Sequence, residues 1–245
     1  MSRPLISLDA AGTLIQVKEP VGRTYAAFAQ RHGVAVEEMA LKAAFRTVWG
    51  QLDTPLWPEG TCAPDDERGW WHELVRRVFA HALGEPLPGV ILDPLFQELY
   101  AYFARPDAWM VFDDVRPALT DLARDHRLCV LSNFDGRLRG ILRGHDLERY
   151  FEQVIVSSEV GAAKPHARMF ETALRVMGAA AETSWHVGDD ERCDLHGAQS
   201  CGWQAYLVGR PGSDLLGLCE KVRFRGNSSL HTSRSMVGNS PHPRG

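Results

Sequence analysis

The sequence predicts an α/β protein whose core is a doubly wound, Rossmann-like parallel sheet, with a helical insertion after the first strand. Three observations support this fold class. Apolar runs of strand length alternate with amphipathic helical segments along most of the chain. One long helix-rich stretch interrupts that alternation near the N-terminus. Polar residues follow several predicted strands, at the edge where such a sheet binds its ligands.

Five short apolar runs have the length of buried strands. They are Leu5–Leu8, Leu128–Leu131, Val154–Val156, Trp185–Val187 and Ala205–Val208. Helical segments separate the last four runs, because their apolar residues share one helical face, as Leu138, Ile141 and Leu142 do. A capping acid and an early proline, within Asp113–Pro117, predict a helix before the second run. Strands that alternate with helices indicate a parallel sheet covered on both faces.

Residues 18–109 are predicted to form successive helices without intervening strands. Four apolar stripes at helical spacing mark these helices, and a loop rich in Pro and Gly, Asp53–Asp66, interrupts them. From Arg223 onward the sequence has no apolar periodicity and is rich in Ser, Gly, Asn, Arg and Pro. We therefore predict a core formed by residues 1–17 and 110–220, a helical cap over 18–109, and a disordered tail over 221–245.

The composition is that of a globular protein, with 44% hydrophobic and 24% charged residues. Residues 221–245 hold five basic and no acidic residues, so the rest of the chain holds 22 basic and 31 acidic ones. This acidic body argues against a nucleic-acid groove, which needs clustered Lys and Arg. We expect no membrane partner, because no apolar run reaches the roughly 20 residues that cross a bilayer. Five irregularly spaced cysteines and the lack of a secretory signal predict reduced thiols in a cytoplasmic protein.

Three candidate functional segments are each weak on their own. Asp9 ends the first predicted strand before a Gly-Thr turn, where a carboxylate can act as a nucleophile or a metal ligand. Ser132 and Asn133 end the second predicted strand, where a hydroxyl and a backbone N–H suit an anion. Lys164 precedes a predicted helix, so that its charge and the helix N-terminus both favour an anion. Such residues also begin many ordinary turns.

A fourth segment is more specific, because it crowds three carboxylates, Asp189, Asp190 and Asp194, after the fourth predicted strand. Like charges this close repel one another unless a cation lies among them. Oxygen ligands favour Mg²⁺ as that cation. The alternative is a zinc site formed by His186, Cys193 and His196, although His186 lies inside the strand.

The order of these four segments resembles that of the haloacid dehalogenase superfamily of hydrolases, from Leu5 to about Gly209. Ser132–Leu138 and Trp70–Val75 further resemble the branch that contains haloacid dehalogenase-like hydrolase domain-containing protein 3. The resemblance implies that the helical cap closes over the site and excludes water. It also implies a small phosphorylated or related anionic substrate, and we expect the substrate contacts of the cap to come from the loop around Trp57–Asp66.

The resemblance implies a role for each residue of the four segments. Asp9 matches the nucleophile that forms an aspartyl-phosphate, and Lys164 matches the lysine of the catalytic site. The implied phosphate-binding residues are Ser132, Asn133 and Lys164, and the implied Mg²⁺ ligands are Asp9, Asp189 and the main-chain carbonyl of Ala11. Asp190 and Asp194 would support the metal site from behind its ligands.

Ala11 departs from the family pattern, in which a second Asp usually stands two residues after the nucleophile. That Asp protonates the leaving oxygen and later activates water, a contribution of about 10²–10⁴ in rate. Four hypotheses follow. The leading one is an Mg²⁺-dependent phosphatase, weakened or specialised by Ala11. The others are a catalytically inactive binding or regulatory protein, a carbon–phosphorus hydrolase using Lys18 or Lys42 as a Schiff base, and a metal-independent dehalogenase.

Overall fold

The computed structural model describes residues 3–210 and 214–232, and its centre is a sheet of five parallel strands. The strands are β1 (Leu5–Leu8), β4 (Arg127–Ser132), β5 (Gln153–Val156), β6 (Trp185–Gly188) and β7 (Gln204–Leu207). They lie in the order β5-β4-β1-β6-β7, which confirms the five predicted strands and their parallel arrangement. The chain fills one side of β1 and then crosses to the other, so the fold is doubly wound.

The central strand β1 is buried along its whole length, because it has a neighbouring strand on each edge and a hydrophobic cluster on each face. Leu8 lies between Val130 of β4 and Val187 of β6. The next residue, Asp9, therefore emerges at the carboxyl edge of the sheet between two other strand ends. Its position follows from the topology, and its own sequence neighbours do not determine it.

Ten α-helices cover the sheet or lie beside it within the described residues. Four of them precede β4 in the region predicted as the cap: α1 (Val21–Arg31), α2 (Glu38–Gln51), α3 (Arg68–Leu83) and α4 (Gly89–Tyr102). The others are α5 (Val115–Asp125), α6 (Arg137–Gly144), α7 (Ser157–Val160), α8 (Ala167–Met177), α9 (Gly197–Ser200) and α10 (Leu215–Thr232). The helical character predicted for the insertion is confirmed.

A two-stranded antiparallel sheet, which the sequence did not predict, joins the two ends of this helical region. It consists of β2 (Ile15–Val17) and β3 (Trp109–Val111), with Val17 opposite Trp109. Strands of three residues are too short for an alternating pattern to be recognised. The helices between them share a hydrophobic cluster of their own, separate from the clusters on the sheet. These features support the predicted division at residues 17/18 and 109/110, which stays a prediction.

The first part of the predicted tail belongs to α10, which continues to Thr232, and the disorder of the tail stays a prediction. The first turns of this helix pack on the core, with Leu218, Cys219 and Val222 in the main hydrophobic cluster. The packed first turns nucleate the helix, and each further helical residue then adds a hydrogen bond at little cost in conformational entropy. Apolar periodicity is therefore not required beyond these turns. The rest of the predicted tail, residues 233–245, lies outside the described residues.

All five cysteines are free thiols, as their irregular spacing predicted. Among the described residues, no helix is both long and apolar enough to span a membrane. Two of the thiols, Cys129 and Cys219, are buried, where they act as small apolar side chains.

The packing of α10 can be tested with two leucines of that helix that differ in burial. Leu218 is fully buried in the main cluster, whereas Leu216 is 45% exposed. Leu218→Ala is expected to lower the free energy of unfolding by about 2–5 kcal/mol, because it leaves a cavity. Leu216→Ala, the matched control, should change it by about 0.5 kcal/mol or less. Urea denaturation measures both values, and equal losses would contradict the packing of α10 described here.

Candidate active site

A buried group of three charges, Asp9, Lys164 and Asp194, lies at the carboxyl edge of the sheet. Asp9 follows β1, Lys164 lies between α7 and α8, and Asp194 lies in a π-helical turn after β6. The Lys164 Nζ donates to Asp9 Oδ1 at 2.8 Å and to Asp194 Oδ1 at 2.6 Å. Ser132, the last residue of β4, donates its hydroxyl to the same Asp9 oxygen at 2.9 Å. The structure thus brings residues from all four sequence segments together.

The three charged groups shift one another's pKa values, and all three side chains are buried. Burial by itself lowers the pKa of Lys164, but Asp194 and Asp9 outweigh that effect and raise it above its ordinary value. Burial would raise the pKa of Asp194, yet Lys164 and a hydrogen bond from His186 hold it below its usual range. Asp9 is more weakly supported, so burial raises its pKa although Lys164 opposes the shift. Lys164 and Asp194 are therefore ionised at neutral pH.

Asn133 holds the backbone of Lys164. Its side-chain nitrogen donates to the Lys164 carbonyl at 2.9 Å, and its side-chain oxygen accepts from the Lys164 N–H at 2.6 Å. These two bonds engage the side-chain amide of Asn133, whereas the sequence assigned the anion to a backbone N–H at the end of the strand. The helix α8 begins only at Ala167, with His166 as its cap, so Lys164 precedes the first turn by two residues. Asn133, more than the helix, fixes the position of Lys164.

His186 is a fully buried support behind Asp194. Its Nε2 lies 3.0 Å from Asp194 Oδ1, and its Nδ1 lies 2.7 Å from the hydroxyl of Ser7. Burial and the nearby Lys164 charge lower the pKa of His186, so the ring is neutral at pH 7. A neutral ring that donates from Nε2 to Asp194 and accepts from Ser7 satisfies both contacts. His186 therefore orients the carboxylate that holds Lys164.

Three carboxylates at the site are close enough to share a cation. Oxygens of Asp9, Asp189 and Asp194 lie within 4.8 Å of one another. Burial raises the pKa of Asp189 to about 6, and the charges of Asp9 and Asp194 add to this effect. One ammonium group, Lys164, faces these three acids, which leaves an excess of negative charge that a divalent cation would offset. The oxygen donors fit Mg²⁺ in kind.

The three acids are not equivalent as metal ligands. Asp194 already accepts from Lys164 and His186 through Oδ1 and from the Asp190 N–H through Oδ2 at 3.0 Å. Asp9 and Asp189 are less occupied, and Asp189 Oδ1 receives only a long 3.3 Å bond from Thr13 among the contacts described. These hydrogen bonds fit a site in which Asp9 and Asp189 hold the cation and Asp194 holds Lys164.

The turn after β1 requires glycine at position 12. Gly12 has a positive φ of +96°, and a Cβ added there would lie 2.3 Å from Asp189 Oδ2. Backbone and carboxylate can approach this closely only without a side chain. The neighbouring Ala11 lines the cavity above Asp9 but carries no group that could donate or accept a proton. The structure therefore presents a backbone carbonyl and a methyl group where a second acid would stand.

The remaining acid of the fourth segment, Asp190, caps the turn that carries Asp194. Its side chain accepts the Cys193 N–H at 2.6 Å. The zinc alternative fits poorly, because both ring nitrogens of His186 are already engaged by Ser7 and Asp194. Among the described residues, the group with metal-binding geometry is the three aspartates, and it includes none of the proposed zinc ligands.

The charged group forms the floor of a cavity of about 790 Å³. Its walls come from both the core and the helical cap, including Ser132 and Phe134 below and Trp71 and Tyr100 above. This volume lies within the range of sites that bind small organic molecules. A ligand that reaches Asp9 would therefore contact cap residues as well as the charged floor.

The loop expected to supply substrate contacts, Trp57–Asp66, does not line this cavity. It is instead tied to the core, where the Trp57 N–H donates to the Gly161 carbonyl at 2.8 Å. Gly161 has a φ of +73°, and a Cβ there would lie 2.1 Å from the Thr61 carbonyl oxygen. The Pro and Gly content showed that this segment is a loop, but it could not show which surface the loop covers. The lining comes from the flanking residues 49–55 and 67–75.

Glu67 is a buried acid on the cavity wall that the sequence analysis did not single out. It has a left-handed backbone, with φ of 59°, and only 4% of it is exposed. Ser157 Oγ lies 3.0 Å from Glu67 Oε1 and 3.1 Å from the Phe134 carbonyl. Because one hydroxyl proton cannot serve two acceptors, a protonated Glu67 that donates to Ser157 would satisfy all three groups. Nothing in the local sequence distinguishes this acid from its exposed neighbours.

The environment of Glu67 predicts a pH-dependent stability. Burial raises the pKa of Glu67 from 4.5 to about 7. Between these values the folded protein retains a proton that the unfolded chain has lost, so the free energy of unfolding falls as pH rises. Relative to Glu67→Gln, which cannot ionise, the wild-type protein should lose up to about 3 kcal/mol across this interval. Urea denaturation of both proteins at about pH 5 and about pH 8 measures the difference, and a constant difference would refute the raised pKa.

Comparison with known proteins places the chain in a family. The family model described as haloacid dehalogenase-like hydrolase matches residues 4–202. Haloacid dehalogenase-like hydrolase domain-containing protein 3 from Homo sapiens is 34% identical over 208 residues, which cover 84% of this chain and 82% of that protein. The protein of the same name from Danio rerio is also 34% identical, over 204 residues covering 82% and 83% of the two chains.

Solved structures share the fold at lower identity. A HAD phosphatase from Thermococcus onnurineus superposes with a TM-score of 0.60 at 20% identity, covering 90% of this chain and 97% of that one. The L-2-haloacid dehalogenase RSc1362 superposes with a TM-score of 0.65 at 20% identity, covering 91% and 100%. These neighbours catalyse different reactions, so they support the fold alone. With the matched model, the close relatives and the parallel sheet, the chain belongs to the haloacid dehalogenase-like hydrolase family.

Proposed function

We propose that this hydrolase cleaves phosphate monoesters through an aspartyl-phosphate on Asp9, with Mg²⁺ as its cofactor. The observation that carries the proposal is the environment of Asp9 at the floor of the cavity. Its Oδ1 is held at 2.8 Å by the Lys164 ammonium and at 2.9 Å by the Ser132 hydroxyl. These are the donors that a phosphate oxygen would meet beside the carboxylate.

Charge is the main obstacle to this reaction, because an anionic carboxylate must approach an anionic phosphate. Lys164 supplies one fixed positive charge, and the two carboxylates beside it keep it protonated. Mg²⁺ bound by Asp9, Asp189 and the Ala11 carbonyl would supply further positive charge to the transferring phosphoryl group. Asp194 contributes by holding the ammonium group of Lys164, and the side chain of Asn133 contributes by holding the backbone of Lys164.

The chemistry has two steps. In the first, a carboxylate oxygen of Asp9 attacks phosphorus, the bond from phosphorus to the ester oxygen breaks, and that oxygen leaves with the electron pair. In the second, water attacks the phosphorus of the aspartyl-phosphate, which releases inorganic phosphate and restores the carboxylate. Ser132 and Lys164 stabilise the phosphoryl oxygens in both steps.

Ala11 restricts which substrates this site can use. Without an acid at this position the leaving oxygen departs as an anion, so the reaction favours leaving groups that are stable without a proton, as in aryl or acyl phosphates. Turnover of alkyl phosphates should be slow. The enzyme is therefore proposed to be a specialised phosphatase with modest rates.

The principal alternative is a catalytically inactive protein that binds phosphorylated ligands on the same scaffold, and Ala11 is the observation that favours it. Detection of phosphate on Asp9 during turnover would exclude it. A carbon–phosphorus hydrolase needs a lysine of the cap that faces the cavity, but Lys18 and Lys42 are exposed and neither lines it. Loss of activity on chelation would separate a phosphatase from a metal-independent dehalogenase.

The roles of Asp9 and Ala11 are tested with 4-nitrophenyl phosphate and an alkyl phosphate. Asp9→Asn should reduce release of phosphate from both to the background rate, because the nucleophile is lost. Ala11→Asp should raise kcat/KM for the alkyl phosphate by about 10²-fold or more, because it supplies the missing acid. Glu85→Gln, an exposed acid outside the cavity, is the control and should match the wild type. Unchanged turnover by Asp9→Asn would refute the proposal.

The role of the metal is tested by its removal and return. Chelation should abolish phosphate release, and added Mg²⁺ should restore it together with a rise in Tm, because the cation binds only the folded carboxylates. Asp189→Asn should need about tenfold more Mg²⁺, or a larger excess, for half-maximal activity and Tm shift. Glu191→Gln removes a neighbouring exposed acid and should need no more than the wild type. Full activity in the chelated protein would rule out the metal role.

A further inference from the structure

We propose that the substrate is an aryl phosphate, whose flat aromatic group lies against rings of the cavity while its phosphate meets Asp9. This inference rests on the proposed phosphatase function and specifies its substrate class. The rings form what we call the aromatic wall: Trp49, Trp70, Trp71, Trp109 and Phe134, all of which line the same cavity as Asp9 and Lys164. The wall determines which leaving group the charged floor receives.

The aromatic wall starts beside the catalytic floor. Phe134 stands two residues after Ser132, which bonds Asp9. The Phe134 ring contacts Trp109 with ring centroids 5.7 Å apart, and Trp71 with centroids 6.3 Å apart. A planar group attached to a phosphate at Asp9 would therefore pass Phe134 as it leaves the floor.

The wall then continues into the cap without a break. Trp71 contacts Trp70 edge-on at 4.9 Å between ring centroids, and Trp49 lies 5.7 Å from Trp70 and 6.1 Å from Trp71. Aromatic pairs at such distances favour edge-to-face or offset arrangements, which a further flat ring could extend. The cap thus presents a run of indole rings rather than isolated apolar side chains.

The three indole rings of the cap are less buried than large apolar side chains usually are, whereas Trp109 and Phe134 are buried. Trp49 is 47% exposed, and Trp70 and Trp71 are only partly buried, although all three belong to well-packed helices of the cap. The indole nitrogen of Trp71 is itself buried and has no hydrogen-bond partner within the part of the chain that the structure describes. An aromatic ligand would cover the accessible faces of these rings.

The cationic groups near the wall do not create a second anion site. Arg137 lines the cavity, but its Nε and Nη2 atoms both donate to the carboxylate of Asp135, which is fully buried. Its guanidinium also stacks on the Tyr100 ring, 3.6 Å from the ring centroid, beside the aromatic wall. The other cations that line the cavity, Lys164 and Arg192, belong to the site at the sheet edge, so the aromatic end suits an uncharged group.

The chemistry of the floor favours the same substrate. Because Ala11 cannot protonate the leaving oxygen, an aryl ester has an advantage: a phenol has a pKa of about 10, as in Tyr, whereas water and simple alcohols lie near roughly 16. The phosphorus–oxygen bond breaks, its electron pair stays on the aryl oxygen as phenolate, and the phenolate takes a proton from solvent after release. Acyl phosphates also leave without protonation, but a small acyl group would not cover the wall.

Turnover distinguishes the two kinds of leaving group. We compare 2,4-dinitrophenyl phosphate with acetyl phosphate, because their leaving groups have comparable acidity but differ in aromatic area. The aryl ester should have a kcat/KM higher by on the order of tenfold or more. In Trp71→Leu this preference should fall several-fold, whereas Trp71→Phe should retain most of it. Phe28→Leu, in a cap ring that does not line the cavity, is the control and should leave it unchanged.

Binding provides a second measurement that does not require turnover. Calorimetry with 1-naphthylphosphonate and methylphosphonate, neither of which has a scissile ester bond, should show tighter binding of the naphthyl compound by about tenfold or more. Trp71→Leu should weaken only the naphthyl compound, with circular dichroism reporting whether each variant is folded. Trp71→Phe, the smaller change, keeps the test valid if Trp71→Leu does not fold.

The outcomes separate this inference from the proposed function. If no phosphate is hydrolysed but the naphthyl compound binds more tightly, the phosphatase function fails while the aromatic wall stands as a ligand site. If both phosphates are hydrolysed with equal kcat/KM and both phosphonates bind equally, the phosphatase function stands and the aryl specificity is overturned. Absence of binding by either phosphonate overturns it as well.

Discussion

The active site depends on one interaction, the pairing of the buried Lys164 ammonium group with Asp9 and Asp194. A charge with 1% exposure is costly unless it is paired, and here two carboxylates from opposite ends of the chain pair it. For both carboxylates to reach Lys164, the end of β1 and the turn after β6 must lie together. Asn133 must also hold the backbone of Lys164 in place. The doubly wound sheet meets these demands, because the ends of its parallel strands converge at one edge.

The same pairing explains the uneven charge of the sequence. An acidic body is a poor starting point for holding phosphate, yet some of its acids serve the site directly. Asp9, Asp189 and Asp194 place more negative charge at the floor than Lys164 can balance, and this excess is what a divalent cation would offset. Two of the basic residues of segment 221–245 have partners elsewhere in the core, because Lys221 lies over the rings of Trp185 and Tyr206 and Arg223 pairs with Asp121.

Ala11 and the aromatic wall give the site its individual character. In the proposed mechanism Asp9 is the nucleophile, Lys164 holds the phosphate and the carboxylates hold the cation, whereas Ala11, which lines the cavity, offers no proton donor. The cap offers mainly aromatic rings at the same cavity, with two acids, Asp53 and Glu67, among its lining residues, and burial raises the pKa of Glu67 to about 7. A site that protonates the leaving oxygen poorly but presents a large aromatic surface can hydrolyse a substrate whose leaving group is stable as an anion.

The sequence by itself determined the five strands of the parallel sheet, the helical character of residues 18–109 and the candidate residues Asp9, Ser132, Lys164 and Asp189. These features follow from local apolar periodicity and from motif order, which are properties of the chain alone. Tertiary structure decided that Asn133 holds Lys164, that Asp194 rather than Asp190 pairs with it, and that Glu67 is buried. It also decided that the loop at Trp57 covers the core while indole rings line the cavity. Such contacts join residues 30 to 155 positions apart in the chain, and only the packed fold determines which surfaces meet.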